Sequence, residues 1–276
     1  MKNFRLFILF GVFTSNMQSQ DFTTVNYPTV FDQTSYAARL AYLTQPGIGF
    51  EINNRFIKEL NVLRFFGACP FSSGVLSGMY KTYGYLSYRE HGFAVGLSKT
   101  ITPRWALGLT AVPKIETFGK SYESQFSMDL NATSFTKLNS NLYWDSEINF
   151  PIRISSNTRA DAPLQSFLRM TMSYVFSKQC QTSVSVKQVL LYKTEVDLQV
   201  CYSPISSLMV FGNVSSLSGC GFGVQYIFGQ VMCRFQTQYR PIVGYSTTVG
   251  LGYQFNNSVE THGRASLQQK TNRHDF

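Results

Sequence analysis

Three histidines, His91, His262 and His274, are the first candidates for a general base, because histidine alone titrates near neutrality without help from its surroundings. His262 and His274 fall in a polar stretch at the end of the chain, and His91 lies beside a turn. None sits on a regular strand next to a serine and an acid, so serine-type hydrolysis has no constellation to work with. Glu90 follows Arg89 directly and reads as half of a rim ion pair rather than as a catalytic acid. Cys69, Cys180, Cys201, Cys220 and Cys233 are odd in number and lack CxxC or any other metal-ligand spacing, so no metal site is expected and the spacing selects no disulfide. Several read as small apolar side chains. Gly219, Gly221 and Gly223 resemble a nucleotide-binding loop superficially, but no helix follows them, and they read as strand positions where side-chain bulk is unwanted. The chain is expected to be non-enzymatic and to use no cofactor.

What remains is a set of polar residues with a common placement: Arg169, Lys187, Gln199, Gln225, Arg234, Gln236 and Arg240. Each stands on the polar side of a segment that alternates with period two, the signature of a half-buried strand. Leu168, Met170, Met172, Tyr174 and Phe176 oppose Arg169, Thr171 and Ser173. Val196, Leu198, Val200 and Tyr202 oppose Glu195, Asp197, Gln199 and Cys201, and Val231, Cys233, Phe235 and Tyr239 oppose Arg234, Gln236, Gln238 and Arg240. The rhythm begins near Gly47, with Ile48, Phe50 and Ile52 against Glu51 and Asn53. It is noisier over Leu60 to Cys69, Gly74 to Thr82 and Leu208 to Leu217, and least regular over Phe118 to Pro163. Pro113 is expected to limit its strand or to mark a rim or bulge.

Segments of about 10 residues joined by tight turns are the length that tilted membrane strands require. Residues 1–20 are built like an export signal, with Lys2 and Arg5 ahead of the apolar run from Leu6 to Phe13. After it no apolar run reaches the roughly 20 residues of a transmembrane helix, so a membrane can be crossed only by strands. With 24 Phe, 16 Tyr and 14% charged residues, the chain has the balance of a lipid-facing barrel with aromatic girdles. The formal charge of +9 comes from Lys and Arg scattered along the chain, which argues against a nucleic-acid partner.

The expected fold is therefore all-β, an antiparallel up-and-down transmembrane β-barrel of about 12 to 14 strands in the outer membrane of a Gram-negative bacterium. Residues 21–46, with a short helix around Thr34 to Leu43, form an N-terminal cap or plug. Residues 47–255 form the barrel, and 256–276 a polar tail expected to be disordered. The last strand, Gly244 to Phe255, carries Gly250, Tyr253 and Phe255 in a pattern that resembles the closing-strand signal read by the barrel-assembly machinery.

Several stretches resemble the Bacteroidetes outer-membrane proteins of the PorV/PorQ type, relatives in architecture of the FadL long-chain fatty-acid transporters. They include Asn54-Arg55-Phe56-Ile57-Lys58-Glu59-Leu60, Tyr88-Arg89-Glu90 and the run from Ser98 to Gly108 with its Thr102-Pro103-Arg104 turn. Asn149-Phe150-Pro151, Met172-Ser173-Tyr174 and the run from Gln238 to Ser246 complete the set. The resemblance covers about Gly47 to Phe255 and implies a FadL-like barrel of about 14 strands. It also implies an accessory role in protein secretion or surface-protein export of the type IX kind, with secretion-system components as partners besides outer-membrane lipid. The alternative it leaves is a FadL-like channel for small or hydrophobic molecules, its lumen lined by the seven polar residues above.

Overall fold

A computed structural model of the chain describes residues 29, 31, 37–55, 61–85, 88–118, 124–153, 165–190, 192–241 and 244–255. The export signal, the polar tail and the loop expected over 155–163 lie outside the described residues.

Among the described residues fourteen strands follow one another: β1 (Gly47–Arg55), β2 (Val62–Phe71), β3 (Gly74–Tyr85), β4 (Tyr88–Thr102), β5 (Trp105–Phe118), β6 (Gln125–Lys137) and β7 (Leu142–Arg153), then β8 (Phe167–Val175), β9 (Cys180–Val189), β10 (Glu195–Ile205), β11 (Leu208–Ser215), β12 (Gly219–Phe228), β13 (Val231–Arg240) and β14 (Gly244–Gln254). Each pairs antiparallel with its neighbours in sequence, and β1 pairs with β14, in register from Gly47↔Gln254 to Arg55↔Ser246, so the sheet closes on itself.

The alternation read from the sequence becomes an inversion of the usual inside and outside. On β1 the polar Glu51 and Asn53 are 3% and 7% exposed, whereas Ile48 and Ile52 are 54% and 43% exposed. Val95, Leu109, Phe222 and Phe228 stand outward in the same way. An apolar belt running around a whole molecule is far larger than the patches soluble proteins tolerate; against hydrocarbon it carries no penalty. Polar groups left on that face satisfy each other, as the hydroxyls of Ser134 and Ser146 do at 3.2 Å.

The two ends differ. One has the turns between Phe71 and Gly74, Thr102 and Trp105, Lys137 and Leu142, Val175 and Cys180, Ile205 and Leu208, and Phe228 and Val231, together with Gly47 and Gln254. The other has the longest links, 56–61, 119–124 and 154–166. In outer-membrane barrels short turns face the periplasm and longer loops the exterior. Trp105, Tyr174, Tyr202, Tyr226 and Tyr253 are exposed near the short-turn end, and Tyr192, Tyr239 and Tyr245 near the other, as two aromatic girdles.

Four local expectations are revised. The helix foreseen over Thr34 to Leu43 is a 3-10 helix, Ala37–Tyr42, within its described part. Pro113 does not end its strand. The β4–β5 pairing skips Phe93 and Ala94, because proline has no N–H to give, while Pro113 keeps its partner Met128 on the β6 side. Glu90 does not pair with Arg89, since successive strand residues point to opposite faces; it meets Lys81 Nζ at 3.1 Å. His91 lies on β4, where its Nδ1 is 2.8 Å from the Tyr80 hydroxyl.

Val95, near the middle of β4, faces outward. Val95→Arg should lower stability in lipid vesicles by about 2–4 kcal/mol, the cost of a lipid-facing cation at the midplane, whereas Val95→Leu should be nearly neutral. Denaturant titration of the folded, heat-modifiable form reads the difference, and equal stability of the two variants would place this face away from hydrocarbon.

Candidate functional site

The lumen is built in two tiers. At the short-turn end the inward residues are largely apolar and the N-terminal segment is packed on them. Phe31, Leu40 and Leu43 form one buried cluster with Phe66, Ala68, Val75 and Met232, and Ala38 joins Phe135 and Tyr143 in a second. The helix is short and tightly wound, with Leu43 N–H donating to Leu40 O at 2.8 Å, an i to i+3 bond.

Polar contacts fix it to the wall of β4 to β7. The Arg39 guanidinium holds Asp145 with both arms, Nε to Oδ1 at 2.8 Å and Nη2 to Oδ2 at 2.5 Å, and also lies 5.6 Å from the Phe135 ring centroid. Arg39 is 3% exposed and Asp145 1%, so neither charge could stand there alone. Ala38 N–H donates to Thr133 Oγ1 at 2.9 Å, and Ser98 Oγ donates to Ala37 O at 2.6 Å. Gly108 makes this approach possible, because a Cβ there would sit 2.7 Å from Ala38 N.

On the far side Phe31 rests on β13, β14 and β2. Its ring lies 4.6 Å from the Arg234 guanidinium and 5.3 Å from the Phe66 ring. Gly250 and Gly252 leave room for it, with Cβ atoms there falling 3.0 and 3.2 Å from its ring. Arg234 is held in turn by Glu51 at 3.6 Å and by Gln225 Oε1 at 3.2 Å, and Glu51 also meets Arg64 at 3.3 Å.

Toward the long-loop end the lining is charged and paired across strands. Lys81 meets Glu90, Lys114 meets Asp129, and Arg169 meets Glu147 at 3.3 Å; Asn149 Nδ2 donates to Asn131 Oδ1 at 2.5 Å. All eight described acids, Glu51, Glu90, Glu116, Asp129, Asp145, Glu147, Glu195 and Asp197, stand at inward positions. Among the described residues no group of His, Cys, Asp and Glu is arranged to hold a metal ion, and the five cysteines are unbridged.

The seven polar residues singled out in the sequence all stand on inward positions, but the structure does not gather them into one site. Arg234 and Gln225 bond each other and Gln236 is buried beside them on β13. Arg240 Nη2 donates to Gln238 Oε1 at 3.1 Å, and Gln199 Nε2 lies 3.2 Å from Cys201 Sγ. Arg169 and Lys187 oppose each other across β8 and β9. Sequence reasoning missed Arg39, Asp145 and Phe31. The one signal available was an arginine inside the otherwise apolar AARLAY helix. In the closing strand, Gly250 faces Glu51, Tyr253 faces Ile48, and Phe255 N–H donates to Pro46 O at 2.9 Å, with the Tyr253 and Phe255 rings 5.0 Å apart on the outside.

A closed barrel with an apolar exterior and a paired polar interior defines an outer-membrane β-barrel protein. No family model and no curated protein matches the chain. Among solved structures it is similar to the Pseudomonas putida toluene transporter TodX, with a TM-score of 0.60 at 9% identity over 83% of this chain and 94% of that one. It is also similar to the Acinetobacter baumannii outer membrane protein Omp33, at 0.49 and 10% over 76% and 98%. For the KdgM porin in complex with oligogalacturonate the figures are 0.44 and 11% over 76% and 99%. At these identities the likeness is one of fold.

Removing one partner of the buried Arg39–Asp145 pair should loosen the helix by about 3–5 kcal/mol. Hydrogen exchange should therefore speed up at the amides of Ala37–Tyr42 in Asp145→Ala while the strand amides keep their protection. Replacing both partners, as Arg39→Met with Asp145→Leu, should restore much of it. Unchanged exchange in Asp145→Ala would mean that the pair does not hold the helix.

Proposed function

We propose that the protein is a non-enzymatic outer-membrane channel for small or hydrophobic molecules, FadL-like in architecture, in which the N-terminal segment is a plug. The observation that carries this reading is the seating of Phe31 and Ala37–Tyr42 inside the lumen by side-chain contacts that can be broken and remade. A solute entering from the long-loop end meets a charged vestibule and then the apolar tier around Phe31, Phe66 and Met232. The plug closes the way out. Unseating it exposes a buried ion pair, and about 4 kcal/mol for that step keeps about one molecule in a thousand open at rest. The fold likeness to TodX supports the reading, since that protein is described as a toluene transporter and a monoaromatic hydrocarbon channel. Liposome swelling tests it. Wild type should admit small solutes slowly and Asp145→Ala at least about tenfold faster. If neither it nor a variant lacking residues 21–43 admits them, although both are folded and heat-modifiable, the channel reading fails.

The second reading is an accessory of protein secretion, resting on the stretches that resemble the PorV/PorQ type. A basic arc at the short-turn end supports it. Lys99, Arg104, Lys137 and Lys178 stand at three successive short turns of β4 to β9, and no described acid accompanies them there. Charge reversal of Arg104 and Lys178 should abolish cross-linking to a periplasmic secretion component if this arc binds one, and should leave liposome swelling unchanged.

Assembly is proposed to use the closing strand, with Gly250, Tyr253 and Phe255 as the signal for the barrel-assembly machinery. Phe255→Asp should prevent appearance of the heat-modifiable band in the outer membrane, whereas deletion of residues 256–276 should be mild. Equal sensitivity would move the signal into the tail.

A further inference from the structure

Among the described residues, the outward side of the barrel carries one cation in its short-turn half, Lys99 on β4. It stands between the exposed Leu97 and Ile101 and opposite the exposed Leu107 of β5. An ammonium has no place in hydrocarbon, so a lysine there lays its stem on the apolar surface and carries its charge to the nearest aqueous interface. That interface is the short-turn end. Arg104, at the tip of the β4–β5 turn, is exposed there too, its backbone N–H donating to Thr102 Oγ1 at 3.3 Å. Neither cation has an ion pair among the described residues, and every described acid faces the lumen. Of the other basic groups at this end, Lys137 turns inward, its Nζ 5.7 Å from the Tyr143 ring centroid, and Lys178 belongs to the β8–β9 turn.

Beside this hairpin the lipid face is hollowed. The outward positions of β6 nearest the rim are Ala132, Ser134 and Thr136, small side chains along about 13 Å of strand. Larger ones flank them on both sides: Leu109, Leu107 and Trp105 on β5, and Ile148 and Trp144 on β7. Ser134 and Ser146 bond each other across the floor at 3.2 Å, which spends their polar capacity locally. Trp105 and Trp144 both stand directly opposite Thr136, so their backbones are roughly 10 Å apart, two strand spacings. That leaves room for one hydrocarbon chain between two indoles, at the interfacial depth that tryptophan favours. The exposed Leu130 closes the groove toward the bilayer centre.

We propose that the outer face of β4 to β7 at the short-turn end binds an anionic phospholipid of the leaflet that the short turns face. Lys99 and Arg104 hold its phosphate, the guanidinium as a fork and the ammonium as a point charge. One acyl chain lies in the groove over Thr136, Ser134 and Ala132, between Trp105 and Trp144. A zwitterionic headgroup would bring its own ammonium to two cations with no described acid to receive it, whereas an anionic one complements them. A soluble periplasmic protein could reach Arg104 but not a groove inside the apolar belt. The inference rests on the place of the barrel in the membrane and on neither the channel nor the secretion reading.

Trp105 and Trp144 are the only two tryptophans of the chain, so lipids with brominated acyl chains, which quench indole fluorescence on contact, report on this groove directly. The full chain is placed in phosphatidylcholine vesicles in which either brominated phosphatidylglycerol or brominated phosphatidylcholine replaces part of the lipid, and each variant is read in its folded, heat-modifiable form. Wild type should take phosphatidylglycerol over phosphatidylcholine by at least about fivefold. The preference should fall to near one in Lys99→Gln with Arg104→Gln. It should also fall in Thr136→Phe, which fills the groove and leaves both cations in place, and stay unchanged in Lys193→Gln at the opposite rim. The site is overturned if the two lipids quench wild type alike or if the preference survives loss of both cations. It is equally overturned if Thr136→Phe keeps the full preference, which would leave a charged arc open to a soluble acidic partner and no lipid seat.

Discussion

The pairing of β1 with β14 is the constraint on which the rest depends. In hydrocarbon an unpaired amide has no water to turn to, so a sheet survives there only without edges. Closure obliges Gly47–Arg55 to find a partner near the other end of the chain. The entropic cost of so long a loop grows only slowly with its length, by about 0.6 kcal/mol per doubling. Once closed, the barrel has an outside that must be apolar and an inside cut off from bulk solvent. Polar residues that alternation sends inward must then find partners there. The cross-strand ion pairs follow from that requirement, and so does an N-terminal segment that brings its own arginine to Asp145.

The distribution of charge changes what the net +9 means. Every described acid points inward, where Arg64, Lys81, Lys114, Arg169, Lys187, Arg234 and Arg240 of the wall and Arg39 of the N-terminal segment oppose them. The lumen described is therefore nearly neutral in sum. Arg89, Lys99, Arg104, Lys137, Lys178 and Lys193 lie at the ends of strands or in turns, so the positive excess of the described chain belongs to the rims. With the sum near zero, any selectivity of such a lumen would come from local groups and not from an overall potential.

That arrangement also explains which parts of the fold could be read from the sequence. Strands β8, β9, β10 and β13 alternate cleanly because one side faces lipid and the other a polar wall. The segments that looked noisy, β2, β3 and β11, are those whose inward side is apolar as well. Phe66, Ala68 and Val75 pack on Phe31, Leu40 and Leu43, and Met209 and Phe211 pack on Cys201. The noise was thus the imprint of an internal contact, and period-two analysis has no term for it. In β6 the outward side ends in Ala132, Ser134 and Thr136, too polar to mark a lipid face by composition. The Arg39–Asp145 pair joins residues 106 positions apart, and no local pattern links them.

The two anchors of the N-terminal segment are not equivalent. If Phe31 leaves its seat, Arg234 keeps Glu51 and Gln225, so that wall remains compensated. If Arg39 leaves, Asp145, almost wholly enclosed, loses the one partner the described structure gives it. A carboxylate in that position must gain water or another cation before the helix can move away. The apolar anchor can therefore slide at modest cost, while the charged one resists until solvent reaches it. On the proposed channel reading, opening would be governed on the β7 wall, by how readily water enters between Arg39 and Asp145, and the apolar tier around Phe31 would shape the space that a displaced N-terminal segment leaves behind.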